Sequence, residues 1–193
     1  CVVLRVLWGM GLLDCIGIVI SGDDQCLLER QYDRMCDTLL ELGMPHVEVH
    51  LAASTRQDSF TRKFVKTSVY LEQIQEQIKK SEEILHKLFD VVPPNGATLI
   101  LTASVTIAAS FAERCPALFR AKISKVVHLG GVLVKPATEF GEEWVSPDET
   151  ARNMSVDKPA LATFYQLVQQ LSVPLVVVTR HVCAACRLPR GVF

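Results

Sequence analysis

Short apolar runs alternate with amphipathic stretches along most of the 193-residue chain. Apolar runs rich in β-branched residues are typical of strands buried on both faces, whereas apolar positions at helical spacing predict amphipathic helices. Five strands are predicted: Cys15–Ile20, His46–Leu51, Ala97–Thr102, Lys125–Leu129 and Pro174–Thr179. Helices are predicted over Val2–Leu12, Gln25–Leu42, Val69–Val92 (one helix or two), Val105–Phe119 (interrupted at Pro116) and Asp157–Leu171. The alternation predicts an α/β fold with a mostly parallel, doubly wound, Rossmann-like sheet, in one domain over residues 1–193.

Turn-forming and polar residues separate these elements. Gly43 predicts the end of the second helix, and Pro93-Pro94-Asn95-Gly96 predicts a turn. Ala52–Lys66 is polar and irregular, as is typical of a surface loop or lid, and Val134–Asn153 is predicted to be a long acidic loop. The carboxylates of that loop resemble a metal cluster but are interpreted as a solvated face: Glu139, Glu142, Glu143, Asp148 and Glu149.

The first twenty residues are apolar enough to resemble a membrane span. Arg5 and Asp14 argue against a span, since a charge at its centre costs about 2.5–3.5 kcal/mol. A secretory signal would also need a basic start and a small-residue cleavage site. The chain enters a helix at once with no capping residue before it. We therefore expect a break inside a larger domain, with the first strand of the sheet missing.

Composition and charge narrow the classes of function. A hydrophobic content of 49% suits a buried core, and a net charge of −1 does not favour a nucleic-acid or membrane partner. The seven cysteines are spread through apolar segments, which predicts reduced thiols and a cytoplasmic protein. Cys183-Ala184-Ala185-Cys186 is a lone CxxC motif, a weak signal for zinc or redox chemistry.

Ligands of doubly wound sheets bind at the carboxyl ends of the strands. Polar residues gather at those ends in this chain, and we expect a polar cleft there. The segments concerned are Ser21–Asp24, Thr102–Ser104, Gly130-Gly131 and Thr179–His181, with Asn153–Asp157 beside them.

The order of these segments resembles the inosine-uridine preferring nucleoside hydrolases. The resemblance rests on GIVISGDD (17–24), LTASVT (101–106), VVHLGGV (126–132), Pro147-Asp148 through RNMSVD (152–157), and PLVVVTRH (174–181). The last of these is similar to a divergent branch of the family that carries Ser/Thr-Arg-His after its final strand.

The resemblance implies hydrolysis of the N-glycosidic bond of a ribonucleoside, with Ca²⁺ at the floor of the cleft. It implies a metal-binding backbone carbonyl at Thr102 and a substrate-binding Asn153. Asp24 stands where the family has a ribose-contacting Asn, and we assign it to both substrate and metal. His181 falls at the position of the last metal-binding Asp and is the candidate catalytic residue.

Departures from the family pattern lower the expected activity. Ala151 and Ile107 replace a Glu and an Asn of the family, and the acidic Asp-x-Asp-x-x-x-Asp-Asp cluster is not found before Cys1. His181 is a poor partner for Ca²⁺, because hard cations prefer oxygen ligands. We expect weak or absent Ca²⁺ binding and little turnover from this chain, and a Ca²⁺-dependent hydrolase from a chain extended upstream.

Simpler roles stand beside these assignments. Asp24 could cap the helix that follows it, and Asn153 could form a capping or loop hydrogen bond. His181 could be an ordinary histidine in an exposed loop. His128 lies inside a strand and is interpreted as a core histidine with its hydrogen bonds satisfied. The alternative function is a non-catalytic domain that binds a nucleoside or ribosyl compound, or an interaction domain. A dinucleotide-binding domain is disfavoured because no Gly-x-Gly-x-x-Gly follows a strand. The expected partner is a small-molecule nucleoside, and a homo-oligomer stays open.

Overall fold

The computed structural model describes residues 2–22, 25–53, 83–134 and 145–185. The chain divides into two compact units, Cys1–Val91 and Val92–Phe193. In the described ranges, no helix has the length and hydropathy needed to cross a membrane.

The first unit contains a two-stranded parallel sheet and its helices. Its elements are α1 (Val2–Gly9), β1 (Gly17–Gly22), α2 (Gln25–Glu41), β2 (Glu48–Ala53) and a helix α3 over residues 83–90. The parallel register runs from Gly17 opposite Glu48 to Gly22 opposite Ala53. The apolar start of the chain is thus divided between a short helix and a strand, as the sequence predicts.

The helix α2 ends where Gly43 adopts a positive φ of 68°, a conformation that glycine accepts without steric cost. The chain then turns back, and the Met44 N–H donates to the Leu39 carbonyl at 2.8 Å. Leu39, Met44 and Val47 are buried together and form a core of this unit.

The second unit contains a three-stranded parallel sheet, in which the strand Ile123–Gly130 lies between the strands Ala97–Leu101 and Leu175–Thr179. Its elements are β3 (Ala97–Leu101), α4 (Thr106–Arg114), α5 (Pro116–Lys122), β4 (Ile123–Gly130), β5 (Val132–Val134), β6 (Val145–Pro147), α6 (Lys158–Gln170), β7 (Leu175–Thr179) and α7 (Arg180–Ala185). The strands β5 and β6 pair antiparallel. All three carboxyl ends of the parallel strands therefore lie at one edge of this sheet.

Helices α4, α5 and α6 share an aromatic core. Phe119 lies 6.4 Å from Phe111 and 6.2 Å from Phe164, measured between ring centroids, and all three side chains are buried. Tilted and edge-on pairs at this spacing add to the stabilisation from burial. The predicted interruption of the Val105–Phe119 helix at Pro116 is confirmed, because α4 ends at Arg114 and α5 begins at Pro116.

The five predicted parallel strands are confirmed, with shifts of at most two residues at their ends. The Pro93–Gly96 turn is confirmed by a 3.0 Å hydrogen bond from the Gly96 N–H to the Pro93 carbonyl. The prediction of a loop throughout Val134–Asn153 is wrong, because Val145–Pro147 pairs with Val132–Val134. The remaining loop predictions and the start of the Val69–Val92 helix fall largely outside the described residues.

Candidate functional site

Asn153 connects the carboxyl ends of two neighbouring strands in the second unit. Its side-chain Nδ2 donates to the Thr102 carbonyl at 2.9 Å and to the Leu129 carbonyl at 3.3 Å. Thr102 directly follows β3, and Leu129 lies near the end of β4. The structure thus brings together Asn153 and Thr102, two residues that the sequence analysis assigned to one site.

The segment that carries Asn153 packs closely against Gly130 and Gly131. A Cβ atom at Gly130 would lie 2.2 Å from Met154 Cε, and one at Gly131 would lie 2.8 Å from Asp148 Cβ. Backbone bonds add to this contact, since the Asp148 N–H donates to the Gly131 carbonyl at 3.0 Å. A side chain at either glycine would therefore force Met154 or Asp148 to move.

A second polar contact lies four residues further along both segments. The Thr106 hydroxyl donates to Asp157 Oδ2 at 2.8 Å, and Ser104 Oγ lies 2.7 Å from Thr106 Oγ1. Asp157 Oδ1 accepts from the Ala160 N–H at 3.1 Å and caps α6. The sequence predicts that α6 begins at Asp157 and that Ser104 lies at a strand end, but no local pattern predicted the contacts of Thr106 with both.

Asp148 is the half-buried start of this segment. Hydrogen bonds from the Thr150 side chain and backbone hold the pKa of Asp148 below its usual value, and the charge of Arg180 acts in the same direction. Glu149 Oε2 lies 3.0 Å from Lys158 Nζ. Asp148 and Glu149, the described carboxylates of the predicted acidic loop, thus each have a partner within the protein.

His181 lies in the first turn of α7 and is exposed. Among the described residues, no hydrogen bond or ion pair joins it to Asn153 or Thr102. Asp24 and Cys186 lie outside the described residues, as does the side chain of Cys183. The structure therefore brings two of the four candidate residues together and places a third at the adjacent strand end.

His128 is fully buried in β4 and faces α6. Its Nδ1 lies 3.2 Å from the Tyr165 hydroxyl, and its Nε2 has no partner among the described residues. Burial lowers the pKa of His128 to about 4 and raises that of Tyr165. The prediction of a core histidine is confirmed, but only one of its two nitrogens is satisfied.

The described residues at this edge supply few ligands of the kind that Ca²⁺ prefers. Within the described ranges, no group of three or more His, Cys, Asp or Glu side chains converges as a metal site would require. The Thr102 carbonyl, the expected metal ligand, faces the Asn153 amide N–H instead. A hydrogen-bond donor lies at an oxygen where the resemblance implies a cation.

Comparisons with known proteins give likeness in structure alone. No protein-family model matches the sequence, and no curated protein does. Among solved structures, the type III effector protein XopQ complexed with adenosine diphosphate ribose matches with a TM-score of 0.68 at 19% identity. The effector protein XOO4466 matches with a TM-score of 0.72 at 20% identity. The inosine-uridine preferring nucleoside hydrolase of Bacillus anthracis matches with a TM-score of 0.63 at 16% identity.

These matches cover 91%, 97% and 97% of this chain, respectively. The chain spans 51%, 53% and 63% of the three solved chains, about half to two thirds of their length. The likeness shows a nucleoside hydrolase-like α/β fold, which confirms the predicted fold class. The resemblance to the inosine-uridine preferring branch in particular stays a prediction.

Proposed function

We propose that this chain forms the ribose-binding part of an N-ribosyl hydrolase, which converts a ribonucleoside and water to a free base and ribose. The observation that carries the proposal is the position of Asn153, whose amide bridges the Thr102 and Leu129 carbonyls at the carboxyl edge of the sheet. Ligands of such sheets bind at this edge.

The amide of Asn153 has a fixed orientation. Carbonyl oxygens only accept hydrogen bonds, so the side-chain NH₂ must face both of them, and each of its two hydrogens has a partner. The side-chain oxygen then remains as an acceptor. Ribose hydroxyls are the matching donors, and the likeness to a nucleoside hydrolase structure supports a ribosyl ligand.

Hydrolysis needs more than ribose binding. An oxocarbenium-like transition state requires nearby negative charge and an activated water. Asp157, a described carboxylate on the same segment as Asn153, is already bonded to Thr106 and to the Ala160 N–H. We therefore propose only binding for this chain, and turnover only where an acidic cluster of the family's kind is also supplied, with Asp24 and His181 as candidate contributors. We also propose a cytoplasmic location and weak or absent Ca²⁺ binding by this chain.

The second candidate is a non-catalytic domain that binds a ribosyl compound. It is favoured by the XopQ structure, which is complexed with adenosine diphosphate ribose and lies at a TM-score of 0.68 from this chain. In both candidates the ribose contacts Asn153, so they differ in bond cleavage and not in this contact.

Isothermal titration calorimetry with inosine, uridine and adenosine diphosphate ribose tests binding. We expect the wild-type chain to bind a ribosyl compound and not the free base, and N153A to bind about tenfold more weakly or worse. The exposed neighbour Arg152 supplies a control, since R152A leaves the amide bridge intact. Equal binding by wild type and N153A, with both folded by circular dichroism, would overturn the ribose assignment.

Release of reducing sugar from inosine and uridine separates the two candidates. We expect none from this chain and Ca²⁺-dependent release from a longer chain that supplies an acidic cluster of the family's kind before Cys1. Binding without release in the longer chain would favour the non-catalytic candidate.

A further inference from the structure

Ser104, Thr106 and Asp157 form a hydrogen-bonded relay next to the Asn153 bridge. The Thr106 hydroxyl donates to Asp157 Oδ2 at 2.8 Å, and Ser104 Oγ lies 2.7 Å from Thr106 Oγ1. The Ser104 side chain is partly buried, and its oxygen also lies 3.4 Å from the Thr106 N–H, a long contact.

The protons of this relay have only one consistent arrangement. An ionised carboxylate accepts and cannot donate, so the single hydroxyl proton of Thr106 goes to Asp157. The short contact between Ser104 and Thr106 then requires Ser104 to donate. With its own proton committed, Ser104 Oγ has only acceptor capacity left for any further group.

The relay lies on the same two segments as the Asn153 bridge. Thr102 and Ser104 are two residues apart after β3, and Asn153 and Asp157 are four residues apart before α6. Each segment contacts the other twice, through Asn153 with Thr102 and through Asp157 with Thr106. Both side chains that remain available, Asn153 through Oδ1 and Ser104 through Oγ, offer acceptors.

We infer that Ser104 is a specificity-determining residue of this edge, and that its Oγ accepts a hydrogen bond from a ribose hydroxyl. Thr106 and Asp157 are positioning residues, which keep the Ser104 proton directed away from the ligand. The inference rests on the proposed ribose site and deepens it. A sheet edge that presents hydrogen-bond acceptors selects a ligand with hydrogen-bond donors. The 2′ and 3′ hydroxyls of an unmodified ribose supply two donors.

A purely structural role for the same residues has a different consequence. Ser104 precedes α4, and its long contact with the Thr106 N–H is what a weak cap of that helix would show. Loss of a cap lowers stability and leaves ligand selectivity unchanged. Selectivity among ribose analogues is therefore the measurement that distinguishes the two roles.

The test compares inosine with its 2′-deoxy, 3′-deoxy and 2′-O-methyl analogues by calorimetry, in wild type, S104A, T106V and the matched control T106S. We expect S104A to bind inosine about tenfold more weakly, with little change for the analogue that lacks the contacted hydroxyl. We expect T106V to lower the preference for inosine over 2′-O-methylinosine, because the released Ser104 proton can face an ether oxygen. T106S retains the hydroxyl and should keep the wild-type preference.

The outcomes separate this inference from the proposed function. If wild type binds inosine and N153A does not, while S104A and T106V keep the wild-type preferences, the ribose site stands and the role of Ser104 is overturned. If wild type binds none of the analogues, both are overturned. NMR checks the relay without a ligand. We expect slow exchange of the Thr106 hydroxyl proton with water in the wild-type chain and fast exchange in D157A. Fast exchange in the wild-type chain would contradict the proton arrangement.

Discussion

At the scale of single residues, His128 is the group whose protonation the fold opposes most clearly. It is fully buried in β4, and its Nε2 has no partner among the described residues. A charged imidazole would lose its hydrating water and gain only the contact with the Tyr165 hydroxyl. Burial therefore lowers the pKa of His128 from 6.5 to about 4. The folded protein therefore holds this histidine neutral.

The stability of the chain should fall as the pH is lowered through that interval. The unfolded chain binds a proton at His128 near pH 6.5, while the folded chain does so only near pH 4. Between these values the unfolded state carries more protons, so acid favours unfolding, by at most about 1.4 kcal/mol per pH unit from this group. Urea denaturation at a series of pH values measures the effect.

The double variant H128L/Y165F is the control, because it removes the titrating group and its hydroxyl partner together. As the pH falls from 6.5 to 4, the wild-type chain should lose unfolding free energy relative to this variant. A difference that is constant over this range would show that His128 is protonated in the folded chain.

At the scale of elements, the end of β4 depends on two glycines for its contact with residues 148–154. We expect G130A to destabilise the chain by about 1–3 kcal/mol, because the new Cβ would lie 2.2 Å from Met154 Cε. The cause is local overpacking, so trimming Met154 should relieve it. Chemical denaturation of G130A, M154A and the double variant measures the coupling free energy between the two positions. Additive losses would mean that Met154 is not the clashing group.

The start of α6 supplies a second prediction at this scale. Asp157 accepts from the Ala160 N–H through one oxygen and from Thr106 through the other. We expect D157A to lower the free energy of unfolding by about 1–2 kcal/mol, since it removes both contacts. D157S should lose less, because serine can still cap the helix. Equal losses in D157A and D157S, measured by urea denaturation, would show that the cap contributes nothing.

Some of the elements cannot be predicted from local sequence patterns. The strands β3, β4 and β7 are runs of apolar residues between turn signals, and such runs are recognisable without any partner. The pair β5 and β6 has only three residues in each strand, and each forms only because the other lies beside it. No local signal marks a pairing of that length, which is why the loop prediction was wrong there.

At the scale of the whole molecule, Ca²⁺ is the ligand whose effect is simplest to measure. The described residues offer no convergent cluster of acidic, His or Cys side chains, and an amide N–H faces the Thr102 carbonyl. We expect the melting temperature of this chain to be the same with Ca²⁺ at about 1 mM and with a chelator, since only a ligand that binds the folded state raises it. The same measurement with Mg²⁺ controls for ionic strength. A clear rise with Ca²⁺ alone would contradict the proposal.

The amino-acid sequence by itself determined the alternation of strands and helices, the α/β class and the strand ends where polar residues gather. It did so because the period of apolar residues and the residues that form turns act locally. The cap at Asp157, the break at Pro116 and the turn at Gly43 are predictable for the same reason.

Only the tertiary structure decided what those polar residues do. Asn153 and Thr102 are 51 positions apart, and so are Asp157 and Thr106, so no local pattern shows that each pair bonds. Those bonds fix which hydrogens are committed and which oxygens stay available. The chemistry of this edge depends on that remaining capacity, a property of contacts between segments that are distant along the chain.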